Sequence, residues 1–445
     1  MNARAKQYSY YITTFGCQMN KNDSERLASV LSGMGLSPAN APDDADVILL
    51  NSCSVRESAE NRIFGYVKNF AALKRRNPEL IIAVTGCMPG RDKHHTMRKK
   101  MPEADLYFPT KEMIFLPERL ASLNPNLRPM TDMPADYLSL RPALNRTFQS
   151  FVTIQTGCNH FCTYCVVPYA RGLENNRPVR DILAEVRGLA ARGCVEVTLL
   201  GQIVNHYIAP DPDAFAPDNP YRNNDFAKLL WEINAIPGIR RIHWTAPHPL
   251  YMDDEAIDAL TLPHQVNYLH LPMQSGNDAV LARMNRRHTA DFYRGIIRKI
   301  RAKKPDIAIG TDIIVGFSGE TDEQFDDTMR LYRDCDFDIS YHARYSERSG
   351  TLAAGLYPDT VGIEEKKRRW QAVQDVMEER TFVKNQAFTG KRVSILVDAY
   401  ENGWCIGNTN EMKRARFKGE QSLVGRIVPT EVFRAETWML WSSAL

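Results

Sequence analysis

The 445-residue chain contains no apolar run approaching the ~20 residues needed to span a bilayer. Its start also lacks the apolar stretch of a secretory signal, because Arg4 and Lys6 lead into Gln7-Tyr8-Ser9-Tyr10-Tyr11. A cytoplasmic protein without membrane attachment is expected. Net charge is small: 56 basic residues against 53 acidic ones leave +3, with a pI near 8.3. Such a balance permits a nucleic-acid partner without arguing for one. Cysteine is scarce, with nine residues spread too thinly for a disulfide scaffold, and the number is odd. In a reducing compartment sparse cysteines serve as metal ligands, redox groups or small core residues. With 44% hydrophobic and 24% charged residues, and Gly and Pro at 25 each, the chain is neither disordered nor collagenous. Its length predicts about three domains.

Residues 8–123 alternate short apolar runs with amphipathic stretches. Tyr10–Thr14, Val47–Leu50 and Leu80–Val84 read as buried parallel strands. Asp23–Met34 reads as a helix capped by Asp23 and closed by Gly35, and Glu57–Arg76 as a second helix. The result is an open βαβαβ sheet. Cys17, Cys53 and Cys87 each follow one of these strands, at the carboxyl edge where such sheets bind ligands. Each could instead be a small buried hydrophobe, but three repetitions of one placement favour convergence on a shared site.

Residues 124–147 hold Pro125, Pro129, Pro134 and Pro142 with little periodicity and read as a linker or a bridging strand region. From Phe148, six βα repeats follow, with strands at Phe151–Ile154, Val195–Leu200, Ile239–Trp244, Val266–Leu271, Ile307–Val315 and Phe337–His342. Asp181–Arg192, Ala290–Lys303 and Asp322–Arg333 read as intervening helices, and Pro210–Asn224 as a surface loop. Such repeats predict a full or partial βα barrel whose site faces the carboxyl ends of its strands. A long helix over Ile363–Phe388 then leads into short strands at Arg392–Val397, Trp404–Thr409, Arg414–Phe417 and Gly425–Pro429. This terminal module is locally basic and carries Trp404 and Phe417, a composition that suits RNA backbone and base stacking as well as a plain solvated face. The run Lys366-Lys367-Arg368-Arg369 is expected to be a solvated helix face.

The most specific string is Thr156-Gly157-Cys158-Asn159-His160-Phe161-Cys162-Thr163-Tyr164-Cys165, just after the first barrel strand. Soft thiolates at this spacing select an iron-sulfur cluster or zinc. Structural zinc wants a fourth ligand, and no nearby CxxC partner supplies one. Three cysteines on a [4Fe-4S] cubane leave one iron open for chemistry.

Cys-x3-Cys-x2-Cys at the first loop of a βα barrel resembles the radical S-adenosylmethionine (SAM) superfamily. With the three N-terminal cysteines and a terminal module resembling a TRAM domain, essentially the whole chain resembles the radical-SAM methylthiotransferases. The strings Phe15–Asn20, Asn51–Glu57, Val166–Gly172 and Leu271–Gly276 are similar to the MiaB-type branch. The chain departs from the family pattern at Ile203, Ser318 and Ser349.

The resemblance implies an α/β chain of three parts: a methylthiotransferase domain over 1–123, a partial radical-SAM barrel over 148–380 and a small all-β TRAM-like barrel over 381–445, with 124–147 as linker. It implies one [4Fe-4S] cluster on Cys158, Cys162 and Cys165 and an auxiliary one on Cys17, Cys53 and Cys87. SAM would serve as methyl donor and as radical source. Gly201, Gln202, Gln274, Ser275, Gly316, Glu320 and Arg344, at strand ends, would contact SAM. The implied reaction places a methylthio group on C2 of N6-isopentenyladenosine beside the tRNA anticodon. The partners would be the anticodon stem-loop, SAM and a low-potential electron donor, with the chain a monomer. Alternative readings are methylthiolation of threonylcarbamoyl-adenosine or of a ribosomal-protein aspartate, and a metal-stabilised RNA-binding protein or electron carrier without catalysis. Cys194, Cys335 and Cys405 are expected to be inert packing; His243 and His248 could be loop hydrogen-bonders or catalytic groups.

Overall fold

A computed structural model describes residues 6–54, 57–128, 130, 134–143 and 147–445. Val55 and Arg56 of the string Asn51–Glu57, and Pro129 with residues 131–133 and 144–146 of the linker, lie outside the described residues, as does Arg4. The chain divides into two compact units, one of residues 1–145, 155–161 and 165–175, the other of 146–154, 162–164 and 176–445.

The first unit is built on a parallel sheet with strands in the order Ser37–Pro38, Ser9–Thr14, Val47–Ser52, Ile81–Gly86 and Leu106–Pro109. Val47–Ser52 and Ile81–Gly86 are buried at every position, as central parallel strands covered on both faces must be. The helix Glu57–Arg76 has the expected bounds. The first helix does not: it spans Gln18–Gly33 and its N-cap is Cys17. Asp23, expected as the cap, is instead fully buried inside the helix. Its carboxylate accepts from Arg171 at 2.5 Å and from the Tyr137 hydroxyl at 2.5 Å. A carboxylate six residues into a helix has no free backbone N–H to cap, and here it balances a buried guanidinium instead. Leu127, Tyr137, Leu138 and Leu140, in the stretch expected as linker, belong to the apolar core of this unit. Their proline content concealed a strap whose carbonyls at Tyr137, Leu138 and Leu140 receive the buried Arg26.

All six expected strands of the second unit form, at Gln149–Thr153, Glu196–Leu200, Arg241–Trp244, Tyr268–His270, Ala308–Val315 and Ile339–Arg344. They make two three-stranded parallel sheets joined by a bridge between Ile242 and Gln265, in sequential order, as a partial barrel requires. The long helix Ile363–Gln386 leads to a closed five-stranded barrel, which contains a strand the sequence pattern missed, Leu440–Ala444. The hairpin tip of that small barrel seats on the amino ends of the βα strands. Arg241 donates to the Asn408 and Thr409 carbonyls at 2.8 and 3.0 Å, and Lys413 pairs with Asp338 at 3.0 Å. Among the described residues no helix is long and apolar enough to cross a membrane.

The basic run of the long helix is only half solvated. Lys366 and Arg369 are buried, Lys366 on Asp359 and Arg369 on Glu320, Asp322 and Glu365. One turn of a helix presents i and i+3 on the same side, so that face turns inward while Lys367 and Arg368 remain outside.

Candidate cluster and nucleic-acid sites

In the first unit, three strand ends deliver the N-terminal cysteines to one edge. Gly16, at φ +142°, lies so close to Cys53 that a Cβ added there would stand 2.5 Å from that of Cys53. Gly86, at φ +104°, lies against the Ser52 backbone, where a Cβ would overlap it. Each glycine immediately precedes a cysteine of the set, so the backbones at Cys17, Cys53 and Cys87 can approach only because no side chain intervenes. All nine cysteines are free thiols. Cys17 Sγ donates to Asn20 Oδ1 at 3.4 Å and occupies the N-cap position of the helix Gln18–Gly33. Burial pushes the Cys87 thiol up, and Arg171 beside it opposes that shift. Among the described residues no three His, Cys, Asp or Glu side chains stand together as a ready metal-ligand group. What the fold supplies is the approach of three strand ends, each followed by a cysteine, at the ligand-binding edge, with a guanidinium beside Cys87 to offset added negative charge. This donor set suits an iron-sulfur cluster.

The second cysteine string starts in the first unit. His160 N–H donates to Cys158 Sγ at 3.4 Å and Val167 N–H to Cys165 Sγ at 3.4 Å. Cys162 lies in the second unit, where Arg286 reaches it with Nη1 at 3.6 Å and holds the Pro272 carbonyl with Nη2 at 3.3 Å. Asn285 and Arg287 on either side have φ of +56° and +57°, left-handed positions that non-glycine residues adopt at a cost. The same turn clasps Thr163, whose N–H bonds the Met284 carbonyl at 3.1 Å and whose hydroxyl bonds the Arg283 carbonyl at 2.8 Å. Neither Arg286 nor the Asp23–Arg171 pair was singled out from sequence. Arg286 lies outside every quoted motif, and Arg171 stood within one without an assigned role.

The residues expected to contact SAM lie at carboxyl ends of barrel strands. Gly201 and Gln202 follow the strand ending at Leu200, and Arg344 ends its strand with an exposed side chain. Gln274 bridges to Ile313 at φ +65°, and the Ser275 hydroxyl meets that of Thr328 at 3.3 Å. Glu320 accepts from Gly316 N–H at 2.6 Å and from Arg369 at 2.9 Å. Burial raises its pKa, and those two donors oppose the rise. Its carboxylate therefore organises the loop after the strand by holding Gly316 N–H.

Cys194, Cys335 and Cys405 are buried, and desolvation pushes the first two thiols up to about 12, as inert packing requires. Burial drives His243 down to about 3, which keeps it neutral. His248 is a loop hydrogen-bonder whose Nδ1 accepts from Leu250 N–H at 3.2 Å.

On the terminal barrel, Arg416 lies between Trp404 and Trp441, 4.1 and 4.4 Å from the ring centres, and Lys418 lies 4.1 Å over Trp404. The two indoles meet edge to face at 5.2 Å. Lys413 and Arg414, equally basic in sequence, are instead spent on Asp338 and Asp398. Phe417, the other aromatic noted, is fully buried.

Two family models match the chain: an uncharacterized protein family, UPF0004, over residues 9–109, and the radical SAM superfamily over 152–332. The chain is 39% identical to the tRNA-2-methylthio-N(6)-dimethylallyladenosine synthase of Caldicellulosiruptor saccharolyticus, over 99% of this chain and 93% of that one. It is equally 39% identical to the Chromobacterium violaceum protein of the same name, over 98% of each. The Bacillus subtilis protein is 38% identical over 97% of this chain and 84% of its own. Among solved structures, the radical SAM methyltransferase TsrM of Kitasatospora setae shares the fold, with a TM-score of 0.56 at 12% identity over 90% of this chain and 81% of that one.

Proposed function

The chain belongs to the tRNA-2-methylthio-N(6)-dimethylallyladenosine synthases, a family of radical-SAM methylthiotransferases, and from that premise we propose how its residues divide the work. The enzyme transfers a methylthio group to C2 of N6-isopentenyladenosine in tRNA and uses SAM with two [4Fe-4S] clusters. When bound, these groups supply the methyl group, the sulfur site and the radical that opens a C2–H position with no acidic proton and no leaving group.

Cys158, Cys162 and Cys165 hold the cluster that takes SAM, and Gly201, Gln202, Gln274, Ser275, Gly316, Glu320 and Arg344 form the edge that receives it. Arg286 donates to the Cys162 sulfur and ties the Pro272 segment to it. Cys17, Cys53 and Cys87 hold the auxiliary cluster, and Arg171 balances charge beside Cys87. The observation that carries this division is the approach of three strand ends at Gly16–Cys53 and Gly86–Ser52. Residues 1–123, 148–380 and 381–445 then correspond to sulfur handling, radical chemistry and RNA binding. The partners in this reading are the anticodon stem-loop, SAM and a low-potential electron donor, and the chain works as a cytoplasmic monomer.

Nucleoside mass spectrometry of tRNA from a strain lacking the gene tests the reaction. The 2-methylthio nucleoside should vanish while N6-isopentenyladenosine accumulates, and complementation should restore it. An unchanged profile, or loss of a threonylcarbamoyl-derived nucleoside in its place, would end this assignment.

RNA binding by the terminal module rests on the Trp404–Arg416–Trp441 stack with Lys418, since aromatic rings beside cations that have no ion pair among the described residues suit base stacking and phosphate contact. Arg416→Ala with Lys418→Ala should weaken anticodon stem-loop binding and reduce the slope of log K against log salt by about two. Lys413→Ala, which breaks an internal ion pair, should leave the slope as it was. Equal slopes in all three proteins would place the RNA elsewhere.

A further inference from the structure

On the second unit's parallel strands, Leu269, Thr311 and Ser340 are buried at alternate positions. The Tyr293 hydroxyl of the helix Ala290–Lys303 bonds the Leu271 carbonyl, the same carbonyl that receives the Thr311 hydroxyl, which marks this as the helix-covered side. Side chains alternate along a strand, so Tyr268, His270, Asp312 and Tyr341 face the opposite, concave side of the partial barrel. They form one connected group. His270 Nε2 lies 3.1 Å from Asp312 Oδ2, and the Tyr268 hydroxyl lies 3.1 Å from His270 Nδ1. Asp312 and Tyr341 are register partners on neighbouring strands, and the Tyr341 ring stands 5.6 Å from the imidazole. Gly310 makes the arrangement possible, because a Cβ there would overlap the Tyr268 hydroxyl oxygen and come within 3.0 Å of His270 Nδ1.

The hydrogen-bond polarity follows from the members. A carboxylate only accepts, so Nε2 donates to Asp312, and in that tautomer Nδ1 accepts from the Tyr268 hydroxyl. Burial holds Tyr268 in its phenol form, able to donate. The Asp312 carboxylate is thereby oriented while 39% exposed, and the Tyr341 ring is left 58% exposed beside it. An open aromatic face next to an aligned acceptor fits a flat heteroaromatic base with one N–H on its edge. The location fits too. His270 lies two residues before Pro272, the segment Arg286 fastens to Cys162. Ile314, two residues past Asp312 on the same face, packs in one apolar cluster with Tyr164 of the cysteine string.

We propose that this concave-face group is the target-base pocket: Tyr341 stacks on the purine and Asp312, positioned by His270 and Tyr268, accepts the N6–H. It deepens the function proposed above and rests on that reading. An N6-alkylated adenine keeps a single exocyclic N–H, so the carboxylate reads a mono-alkylated amine against a di-alkylated one.

The test measures anaerobic binding of the holoenzyme to two anticodon stem-loops, one carrying N6-isopentenyladenosine and one carrying its N6-methyl derivative, which has no N–H. Wild type should prefer the first about tenfold, the worth of one good hydrogen bond to a charged group. Asp312→Asn should bind the two alike, because His270 holds the amide oxygen and the NH2 then confronts the N6–H. His270→Phe should narrow the same ratio. Tyr341→Leu should weaken both RNAs about tenfold while Tyr341→Phe does not, as base stacking requires. Tyr341 is exposed, so its replacement does not threaten the fold. A wild-type ratio retained in Asp312→Asn, or wild-type binding by Tyr341→Leu, overturns the proposal. Absence of any methylthio product from wild type would instead refute the reaction itself, and the binding ratio is read independently of it.

Discussion

Cys162→Ala will abolish reductive cleavage of SAM to 5′-deoxyadenosine, and with it all product. The residue is the middle cysteine of the Cys158–Cys162–Cys165 string, in the unit that carries the partial barrel. Alanine removes one of three ligands, so the cubane loses its hold there while the auxiliary set is untouched. Anaerobic reconstitution should fall from about eight irons per chain to about four, the content of one remaining cubane. The substitution also strips Arg286 of its sulfur acceptor at 3.6 Å and leaves a buried guanidinium short of a partner. Chemically reduced variant protein assayed with SAM alone gives the answer, because no RNA is needed for this readout. Cleavage at the wild-type rate would remove Cys162 from the cluster, and stoichiometric zinc without iron in the wild type would remove the cluster altogether.

The parts of this machine differ in how openly the sequence displays them. Continuous apolar runs such as Val47–Leu50 announce central parallel strands, since both faces must be covered, and the six barrel strands were legible from apolar-rich runs alternating with helical stretches. Cys158, Cys162 and Cys165 were legible because their spacing is local. Long-range pairings were not. Asp23 looked like a helix cap because nothing nearby in sequence reveals Arg171 as its partner 148 residues away. Lys366 and Arg369 looked solvated because charge runs usually are, yet Asp359 and Glu320 draw them inward. In the terminal module the basic residues looked equivalent, and only the fold separates Lys413 and Arg414, which are neutralised by Asp338 and Asp398, from Arg416. The strand Leu440–Ala444 escaped notice because its residues Ser442-Ser443-Ala444 carry no β-branched pattern.

Cys53→Ala will separate the two halves of the reaction: SAM cleavage persists and methylthio product stops. Cys53 is buried at the end of the strand Val47–Ser52, in van der Waals reach of the backbone before Cys17. Alanine is close to cysteine in size and apolar, so the sheet should tolerate it, and a loss of function would then report ligand chemistry and not collapse of the core. About four irons per chain should remain after reconstitution, now on the second cysteine string. With RNA present, 5′-deoxyadenosine should accumulate without a matching 2-methylthio nucleoside, because the radical is still made while no sulfur is at hand to meet it. Gly16→Ala should reach the same outcome by a different route. Its Cβ would meet Cys53 and Asn20 side chains, and φ +142° is a conformation alanine avoids, so the strand ends must part while every cysteine remains. Agreement between the two variants would tie the defect to the geometry of the strand ends as well as to one thiol. Normal product from Cys53→Ala would sink the auxiliary role of the three N-terminal cysteines, whatever Gly16→Ala does.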